Sequence, residues 1–296
     1  MRIIFKIVRI LYPLGAIGVV GLIFSIPYLH LLAWLGLLCF CHPGFYHTMR
    51  QIAGSFCGVY RTIPRKENYN STVDYILPFN GKWTVVNGGV DKDFSHSWDV
   101  ETQRFAYDFI IMDDNGNSHK GHETIRESYH CYGLDILAPA DGVVVKASNY
   151  HAESRVNGKK AYCDTWDIRG NFVVIKHAEN EYSGLAHLAA GSVAVRVGDF
   201  VKQGQVIGKC GNTGNTSQPH LHFQLQSSAS FFTAQGRPIA FTNVEARQKP
   251  NYDKLDGRPR VDSLQRAGQE HGFSEKFFIG RGLEVENGDA DQLTLF

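Results

Sequence analysis

Residues 217–225, with the sequence SQPHLHFQL, constrain the fold most strongly because polar and apolar side chains alternate along them. Successive side chains of a β-strand point to opposite faces, so His220, His222 and Gln224 are expected on one face. The leucines and the phenylalanine of the segment would occupy the other face and pack into a core. The pattern therefore predicts a strand that holds two histidines rigidly on the side opposite a core.

Short apolar segments interrupted by glycine lie on both sides of this strand in the sequence. Alternating valines at 193–197 precede a Gly-Asp pair at 198–199, and glycines recur at short intervals through 201–215. Residues 137–145 (LAPADGVVV) form another apolar run with a turn inside it. Turn residues at this spacing are typical of all-β proteins. The sequence predicts a mostly β fold, an antiparallel sheet or sandwich.

Two histidines on one face of a rigid strand have the chemistry of a metal site. Neutral imidazole is the commonest protein ligand for zinc, and an open catalytic zinc site has three protein ligands with a fourth position for water. In isolation the pair is equally consistent with an exposed strand whose two histidines bind nothing. A third histidine, His187, lies upstream in the segment LAHL at 185–188, and the alternative for it is a core histidine whose hydrogen bonds are satisfied.

The order of these segments resembles the M23 family of zinc metallopeptidases, the lysostaphin-like and LytM-like peptidoglycan endopeptidases. The resemblance covers residues 83–225. It rests on an Ala-Pro-x-x-Gly turn at 138–142, His187-Leu188, the Gly-Asp-x-Val-x-x-Gly-Gln turn at 198–205, and Pro-His-Leu-His at 219–222. It implies a duplicated hybrid-motif core, a Zn²⁺ cofactor, and hydrolysis of peptide stems or cross-bridges of peptidoglycan by zinc-activated water.

The resemblance also implies roles for the three histidines. The second histidine of His-x-His ligates zinc in the family, which assigns His222 to the metal. His220 and His187 would flank the zinc-activated water as catalytic residues, because an imidazole there accepts a proton or stabilises the oxyanion. The sequence leaves open which of the two is the base.

The remaining ligands depart from the usual His-x-x-x-Asp spacing of the family. Asp135 stands at the aspartate position before Ala-Pro, but Cys131 fills the histidine position. His130 is one residue out of step, and a slip of one residue on a strand reverses the face. Asp135 with His130 or Cys131 is therefore one possible ligand pair, and a turn or an orienting role is the alternative for Asp135.

A second candidate pair lies upstream. The segment 103–111 predicts a strand with Asp108 on the face opposite its aromatic residues, and a buried carboxylate needs a cation. His96 precedes it, while Arg104 stands where the strict spacing requires histidine. The segment resembles a divergent, membrane-anchored branch of M23-like proteins, which implies His96, Asp108 and His222 as the zinc set, with the Asp135 set as the alternative.

The amino-terminal residues predict a membrane anchor. No Asp, Glu, Lys or Arg occurs in residues 10–41, a run longer than the ~20 residues that cross a bilayer. Arg2, Lys6 and Arg9 precede the run and favour a cytoplasmic amino terminus. No cleavage site follows, so the anchor is expected to remain, with the catalytic domain on the periplasmic or cell-wall side. Pro27 allows a hairpin, which would return the domain to the cytoplasm.

The chain is expected to comprise an anchor at 1–41, a juxtamembrane linker at 42–73, an M23-like domain at 74–245 and a C-terminal extension at 246–296. Residues 149–169 show no regular alternation of polar and apolar residues, which predicts a loop at the mouth of a groove. The cysteines outside the anchor have no Cys-x-x-Cys spacing, which argues against a structural zinc knuckle. An exported domain permits disulfides, and burial as small hydrophobes is the alternative.

Several functional classes remain after these considerations. With 30 Lys and Arg against 29 Asp and Glu, the chain has no basic excess that would attract nucleic acid. The leading hypothesis is a membrane-anchored zinc endopeptidase of the cell wall. Its rivals are a degenerate, metal-free M23-like domain that binds wall peptides or activates another hydrolase, a peptidase of a small exported protein, and a lipoyl- or phosphocarrier-like sandwich.

Overall fold

The structure is a computed structural model that describes residues 64–65, 68–157, 161–163, 167–258 and 276–288, with isolated residues between 17 and 53. Most of the predicted anchor at 1–41 and most of the linker at 42–73 lie outside the described residues. Within the described ranges, no helix combines the length and the apolar character that crossing a membrane requires.

The described residues form mainly short strands joined by turns and 3-10 helices. The strands are β1 (Trp83–Asn87), β2 (Tyr107–Ile110), β3 (Asp135–Leu137), β4 (Gly142–Ser148), β5 (Tyr162–Cys163), β6 (Asn171–Ala178), β7 (Glu181–Leu188), β8 (Phe200–Val201), β9 (Val206–Lys209), β10 (Asn215–Thr216), β11 (Leu221–Gln226), β12 (Gly236–Arg237), β13 (Phe241–Thr242), β14 (Val244–Gln248), β15 (Lys276–Phe277) and β16 (Leu283–Asn287). The 3-10 helices are Lys92–Phe94, Glu101–Gln103, Arg126–Ser128 and Tyr252–Lys254.

A ten-stranded antiparallel sheet dominates the fold. Its strands run in the order β14-β16-β1-β2-β11-β7-β6-β4-β8, and β12 pairs with the end of β11. Three two-stranded sheets, β5 with β10, β13 with β15, and β3 with β9, complete the described structure. The prediction of a mostly β, antiparallel fold is confirmed. Strand β11 lies near the middle of the large sheet, between β2 and β7, where both of its edges are paired.

Alternation along the central strands separates a core face from a polar face. Leu221, Phe223 and Leu225 of β11 are buried in the main hydrophobic cluster, as are Tyr107 and Phe109 of β2. Burying a side chain of this size stabilises the folded state by roughly 1.5–3 kcal/mol. The core therefore fixes the twist and spacing of β2 and β11, and the polar residues between these anchors are presented on the opposite face.

The sheet continues past residue 245, the carboxyl-terminal boundary that the sequence predicts for the peptidase domain. Strand β16 lies between β14 and β1, with Trp83 opposite Val285. The side chain of Asn287 accepts a hydrogen bond from the Leu77 amide and donates to the carbonyls of Leu77 and Phe79. Residues 283–287 of the predicted extension are therefore an integral part of the large sheet.

Candidate active site

Asp108 and His222 face each other across two neighbouring strands. The register of β2 and β11 places them directly opposite, and Asp108 Oδ1 lies 2.9 Å from His222 Nδ1. Both residues are buried. Burial raises the pKa of Asp108, but the hydrogen bond and charge of His222, with His220 and His96 nearby, outweigh it and lower that pKa below its usual range. Asp108 is therefore a buried, ionised carboxylate.

His220 precedes β11 and lies on the same side as His222. Its Nε2 lies 3.9 Å from Asp108 Oδ1, and its Nδ1 donates to the Gln218 carbonyl at 2.8 Å. Because the carbonyl is only an acceptor, the proton of the neutral ring sits on Nδ1, and Nε2 keeps its lone pair. Burial lowers the pKa of His220, which favours this neutral form.

His187 reaches the same cavity through a break in the register of β7. Ala186 pairs with Phe172 while Leu188 pairs with Asn171, so His187 is the extra residue of a β-bulge. Its φ of +62° lies in the left-handed region, which a residue other than glycine rarely adopts. The bulge turns the imidazole away from the core face, where strict alternation from the preceding leucine would have placed it.

Contacts on both sides hold the bulged histidine. Its amide donates to the Arg169 carbonyl at 2.9 Å, and its Nδ1 donates to the Thr213 carbonyl at 2.8 Å. Burial, followed by the charges of His220 and His222, lowers the pKa of His187 well below its usual value. The His187 and His220 ring centroids are 4.6 Å apart. Two neutral imidazoles, each with a free Nε2, therefore lie side by side.

A chain of amide side chains fixes the proton of His222. Gln226 Nε2 donates to the Ser228 carbonyl, which can only accept, and Gln226 Oε1 accepts from Gln224 Nε2. Gln224 Oε1 therefore faces His222 Nε2 at 2.9 Å and accepts its proton. His222 Nδ1 in turn donates to the ionised Asp108 carboxylate, which can only accept. Burial alone would lower the pKa of His222, but the hydrogen bond and charge of Asp108, with the hydrogen bond to Gln224, raise it above its ordinary value. The Nδ1 nitrogen and the carboxylate therefore converge on one position.

His96 enters the site from a loop. It is exposed, and its amide donates to Asn87 Oδ1 at 2.8 Å; Asn87 is the β1 residue opposite Asp108. Arg104 Nε donates to the Trp98 carbonyl at 2.9 Å, and its guanidinium lies 5.4 Å from the Trp98 ring centroid. Arg104 thus closes the loop that carries His96.

One cavity of about 380 Å³ joins these groups. It is lined by all five residues that the sequence predicts for the site, His96, Asp108, His187, His220 and His222. Ala161, Ile168 and Arg169 from the predicted loop at 149–169 also line it. The Arg169 guanidinium is bonded to Asp167 through Nε and Nη2 and lies 3.6 Å from the Phe172 ring centroid.

The alternative ligands lie elsewhere in the fold. Asp135 is exposed on β3 and pairs with Lys209 at 2.6 Å. Cys131 is buried in the core and donates to the Pro219 carbonyl at 3.3 Å. The amide of His130 donates to the Ser118 carbonyl. None of these three residues lines the cavity that His222 lines.

The donor set suits zinc although its atoms are not grouped around one point. In the described part of the chain, no three His, Cys, Asp or Glu side chains form a preformed metal-binding cluster. Asp108 and His222 Nδ1 nevertheless converge at 2.9 Å, and His96 lines the same cavity. One carboxylate oxygen and two imidazole nitrogens are ligand types that zinc prefers, and Gln224 supplies the outer hydrogen bond that orients a metal-bound imidazole.

Sequence reasoning missed three supporting residues. Gln224 was expected on the histidine face without a role, and Asn87 gave no signal because its position depends on pairing between distant strands. The third residue is Thr213, in the turn at 212–215. Hydrogen bonds from the Asn212 and Asn215 amides to Glu153 and Ile168 hold this turn. The turn supports His187 through the Thr213 carbonyl.

The sequence matches a known family over this part of the chain. Residues 119–239 match the model of peptidase family M23. Peptidoglycan DD-endopeptidase ShyA of Vibrio cholerae is 32% identical over 107 residues, which are 36% of this chain and 19% of that protein. Peptidoglycan DD-endopeptidase ShyC of the same organism is 31% identical over 168 residues, 53% of this chain and 33% of that protein.

Another relative has a different description. Murein hydrolase activator NlpD of Salmonella dublin is 32% identical over 132 residues, 45% of this chain and 30% of that protein. The chain thus spans a third or less of the length of these three relatives. The family match includes His187, His220 and His222, and β2 with Asp108 lies before it. The part of the chain from residue 119 to residue 239 therefore matches peptidase family M23.

Proposed function

We propose that the chain is a zinc metalloendopeptidase that hydrolyses peptide cross-links of bacterial peptidoglycan. Two of its relatives are named as peptidoglycan endopeptidases. The observation that carries the proposal is the convergence of the buried Asp108–His222 pair with two imidazoles, His187 and His220, in one cavity. Perturbed titratable groups that meet in a cleft are characteristic of catalytic sites.

Asp108 and His222, through Nδ1, would hold the zinc together with His96. Bound zinc supplies a Lewis acid that polarises the scissile carbonyl and activates water at neutral pH. The Asp108 carboxylate contacts His222 at 2.9 Å and His220 at 3.9 Å, so its charge is directed into the cavity. Gln224 Oε1 accepts the hydrogen bond from His222 Nε2, so a metal that displaced the Nδ1 proton would take Nδ1 as its ligand atom.

His187 and His220 would carry the protons of the reaction. Each ring donates from Nδ1 to a backbone carbonyl, so each presents Nε2 as an acceptor. One imidazole accepts the proton of the attacking water, and an imidazolium stabilises the oxyanion or returns the proton to the leaving amine. Their lowered pKa values keep both rings neutral before the reaction, as a general base requires.

The proposed location follows from the substrate. Peptidoglycan lies outside the cytoplasmic membrane, and residues 10–41 contain no Asp, Glu, Lys or Arg. We place the catalytic domain on the extracytoplasmic side, periplasmic or facing the cell wall, with residues 1–41 as an uncleaved anchor in the cell membrane.

A degenerate domain that binds wall peptides or activates another hydrolase is the second candidate. Two observations favour it: Arg104 stands where the family spacing requires histidine, and the described residues contain no preformed cluster of three ligands. One of the relatives is named as a hydrolase activator. Zinc content and hydrolysis separate the two candidates.

The decisive experiment compares two aspartates. Full-length protein, Asp108→Ala and Asp135→Ala are purified in mild detergent, and zinc per protein and release of muropeptides from purified sacculi are measured. Asp108→Ala is expected to lose stoichiometric zinc and turnover because one of three protein ligands is gone. Asp135→Ala removes an exposed carboxylate paired with Lys209, so this variant is expected to keep both zinc and turnover.

Two results would contradict this assignment. If Asp135→Ala loses zinc while Asp108→Ala keeps it, the ligand set is the alternative one. A wild-type protein without zinc supports the degenerate domain, and a zinc protein that cuts neither sacculi nor short wall peptides rules out this substrate class.

A further inference from the structure

Two cysteines lie together in the core behind the candidate active site. Cys131 and Cys210 are free thiols with relative exposures of 1% and 0%. Burial raises the pKa of Cys210 well above its ordinary value, and a hydrogen bond with the Cys131 thiol raises it further. The proposed hydrolysis uses neither residue.

The backbone keeps the two residues close. Cys131 begins a tight turn in which the Leu134 amide donates to its carbonyl at 3.3 Å, and Gly133 in this turn has a φ of +79°. The Gly133 amide donates to the Cys210 carbonyl at 2.8 Å, and the Cys210 amide donates to the Leu134 carbonyl at 2.8 Å. The ends of one short turn are thus bound to Cys210, and both side chains enter the same hydrophobic cluster.

Each cysteine also touches the segment that carries a catalytic histidine. Cys131 Sγ donates to the carbonyl of Pro219, the residue before His220. Cys210 forms an isolated bridge with Leu188, the residue after His187. The pair therefore lies between the supports of the two imidazoles, although it does not line the cavity.

We propose that Cys131 and Cys210 form a disulfide when the chain folds under oxidising conditions, and that this disulfide fixes the supports of His187 and His220 relative to each other. Two cysteines must already be close for a disulfide to form without backbone movement. The hydrogen bonds between the 131–134 turn and Cys210 keep these two residues close. The inference does not depend on the proposed hydrolysis.

The reaction requires an oxidant. The two thiols lose two protons and two electrons as the sulfur–sulfur bond forms, and a small-molecule disulfide such as oxidised glutathione takes them up as two thiols. Cys131 then no longer donates to the Pro219 carbonyl, so one hydrogen bond is exchanged for a covalent cross-link. Because both thiols are buried in the folded protein, the bond is expected to form during folding.

The test is a cysteine map of the full-length protein. Denatured protein is refolded in detergent with a mixture of reduced and oxidised glutathione or with dithiothreitol, free thiols are alkylated, and peptides are identified by mass spectrometry. A disulfide-linked peptide joining Cys131 to Cys210 is expected in the first sample, with a melting temperature higher by about 5 °C or more than in the second.

Cys131→Ala should lose both the linked peptide and the dependence of melting temperature on oxidant, while Cys163→Ala, the control, should keep both. Alkylation of Cys131 and Cys210 in the glutathione-refolded wild type, or linkage of either to another cysteine, would overturn the proposal. The disulfide-linked peptides of the wild-type protein test the proposal even if Cys131→Ala does not fold. Zinc content and hydrolysis do not enter the readout, so failure of the proposed function leaves the result unchanged.

Discussion

Strand β11 and the carboxyl-terminal end of β7 bring histidines to one cavity in different ways. In β11 the regular alternation that buries Phe223 also places His222 opposite Asp108. In β7 the alternation is interrupted by a bulge, and His187 has a left-handed backbone. The first arrangement is local and follows from the side-chain period of two. The second depends on contacts with residues distant in sequence.

The difference shows where the site is vulnerable. The imidazole of His222 is held by a strand paired on both edges, so only loss of its own contacts would misplace it. The position of His187 depends on Arg169 and on the turn around Thr213. That turn is held by Glu153, whose carboxylate accepts hydrogen bonds from the amides of Asn212 and Ala190. Substitutions outside the cavity should therefore affect His187 more than His222.

The largest effect is expected from replacing His187 or His220, and it tests whether both histidines take part in the proposed proton transfer. His187→Ala and His220→Ala should each lower turnover on wall peptides by ~100-fold or more, because each removes an acceptor near the reacting water. Zinc per protein should stay at the wild-type level in both variants. The double variant should lose little more than either single one, because groups that act as a unit are not additive.

Loss of zinc in either variant would reclassify that histidine as a ligand. A loss of turnover below about tenfold in one of them would assign the proton transfer to the other alone.

A glycine pair tests the dependence of the bulge on its turn. A Cβ at Gly214, where φ is +88°, would lie 2.4 Å from the Ile168 carbonyl oxygen and 2.5 Å from the Gly170 amide nitrogen. Gly214→Ala should shift the turn that holds His187 and lower turnover by about tenfold or more, with a lower melting temperature. Zinc should remain, because β2 and β11 are not displaced.

Gly191 provides the matched control. Its φ is +74°, but a Cβ there meets no atom within 4 Å. Gly191→Ala should therefore cost only about 1 kcal/mol of stability, the backbone penalty, and leave turnover unchanged. Equal losses of turnover in the two variants would show that the turn does not position His187.

The same comparison explains how much the sequence could predict. The alternation in 217–225 correctly predicted the core face and the histidine face of β11, and the pattern around Asp108 predicted the faces of β2. Both predictions depend on the local side-chain period. His187 was expected near the other histidines from the family resemblance alone, since alternation from Leu185 would place it on the core face.

The elements that the sequence left open depend on long-range contacts. Strand β16 follows a polar stretch and pairs with β1, about two hundred residues earlier in the chain, and no local pattern specifies such a partner. His96 lies on a loop held by Asn87 and by the contact of Arg104 with Trp98. Side chains in a loop follow no regular alternation of faces, so the position of His96 at the cavity could be seen only in the structure.

A third prediction concerns the amide chain on β11. Gln224→Leu removes the acceptor of the His222 Nε2 proton, so the ring loses the hydrogen bond that orients Nδ1 toward a metal. Zinc affinity should fall about 10- to 100-fold, the usual cost of losing an orienting hydrogen bond to a ligand. Gln226→Leu lies one hydrogen bond further from the ring and should have a smaller effect.

Zinc competition with a chromogenic chelator measures both affinities. An unchanged affinity in Gln224→Leu would show that packing alone orients His222.

The smallest effect is expected at the opposite end of β7 from the bulge. Glu181 begins this strand, and its carboxylate accepts hydrogen bonds from Ser71 Oγ at 2.5 Å, the Thr72 amide at 2.9 Å and Tyr75 Oη at 2.9 Å. Burial alone raises the pKa of Glu181, but these hydrogen bonds outweigh it and lower the pKa below the ordinary value of 4.5. The ionised carboxylate therefore ties residues 71–75 to the sheet.

This lowered pKa sets the sign of a pH dependence. A group whose pKa is lower in the folded than in the unfolded state adds stability above the unfolded value, and that stability is lost as pH falls through the folded value. The difference in unfolding free energy between wild type and Glu181→Gln should be full near neutral pH and shrink below the ordinary pKa of 4.5. Urea unfolding of both proteins across this range measures it. Turnover at neutral pH should be unchanged, since Glu181 does not line the cavity; a difference that stays constant with pH would show that the carboxylate is not ionised in the fold.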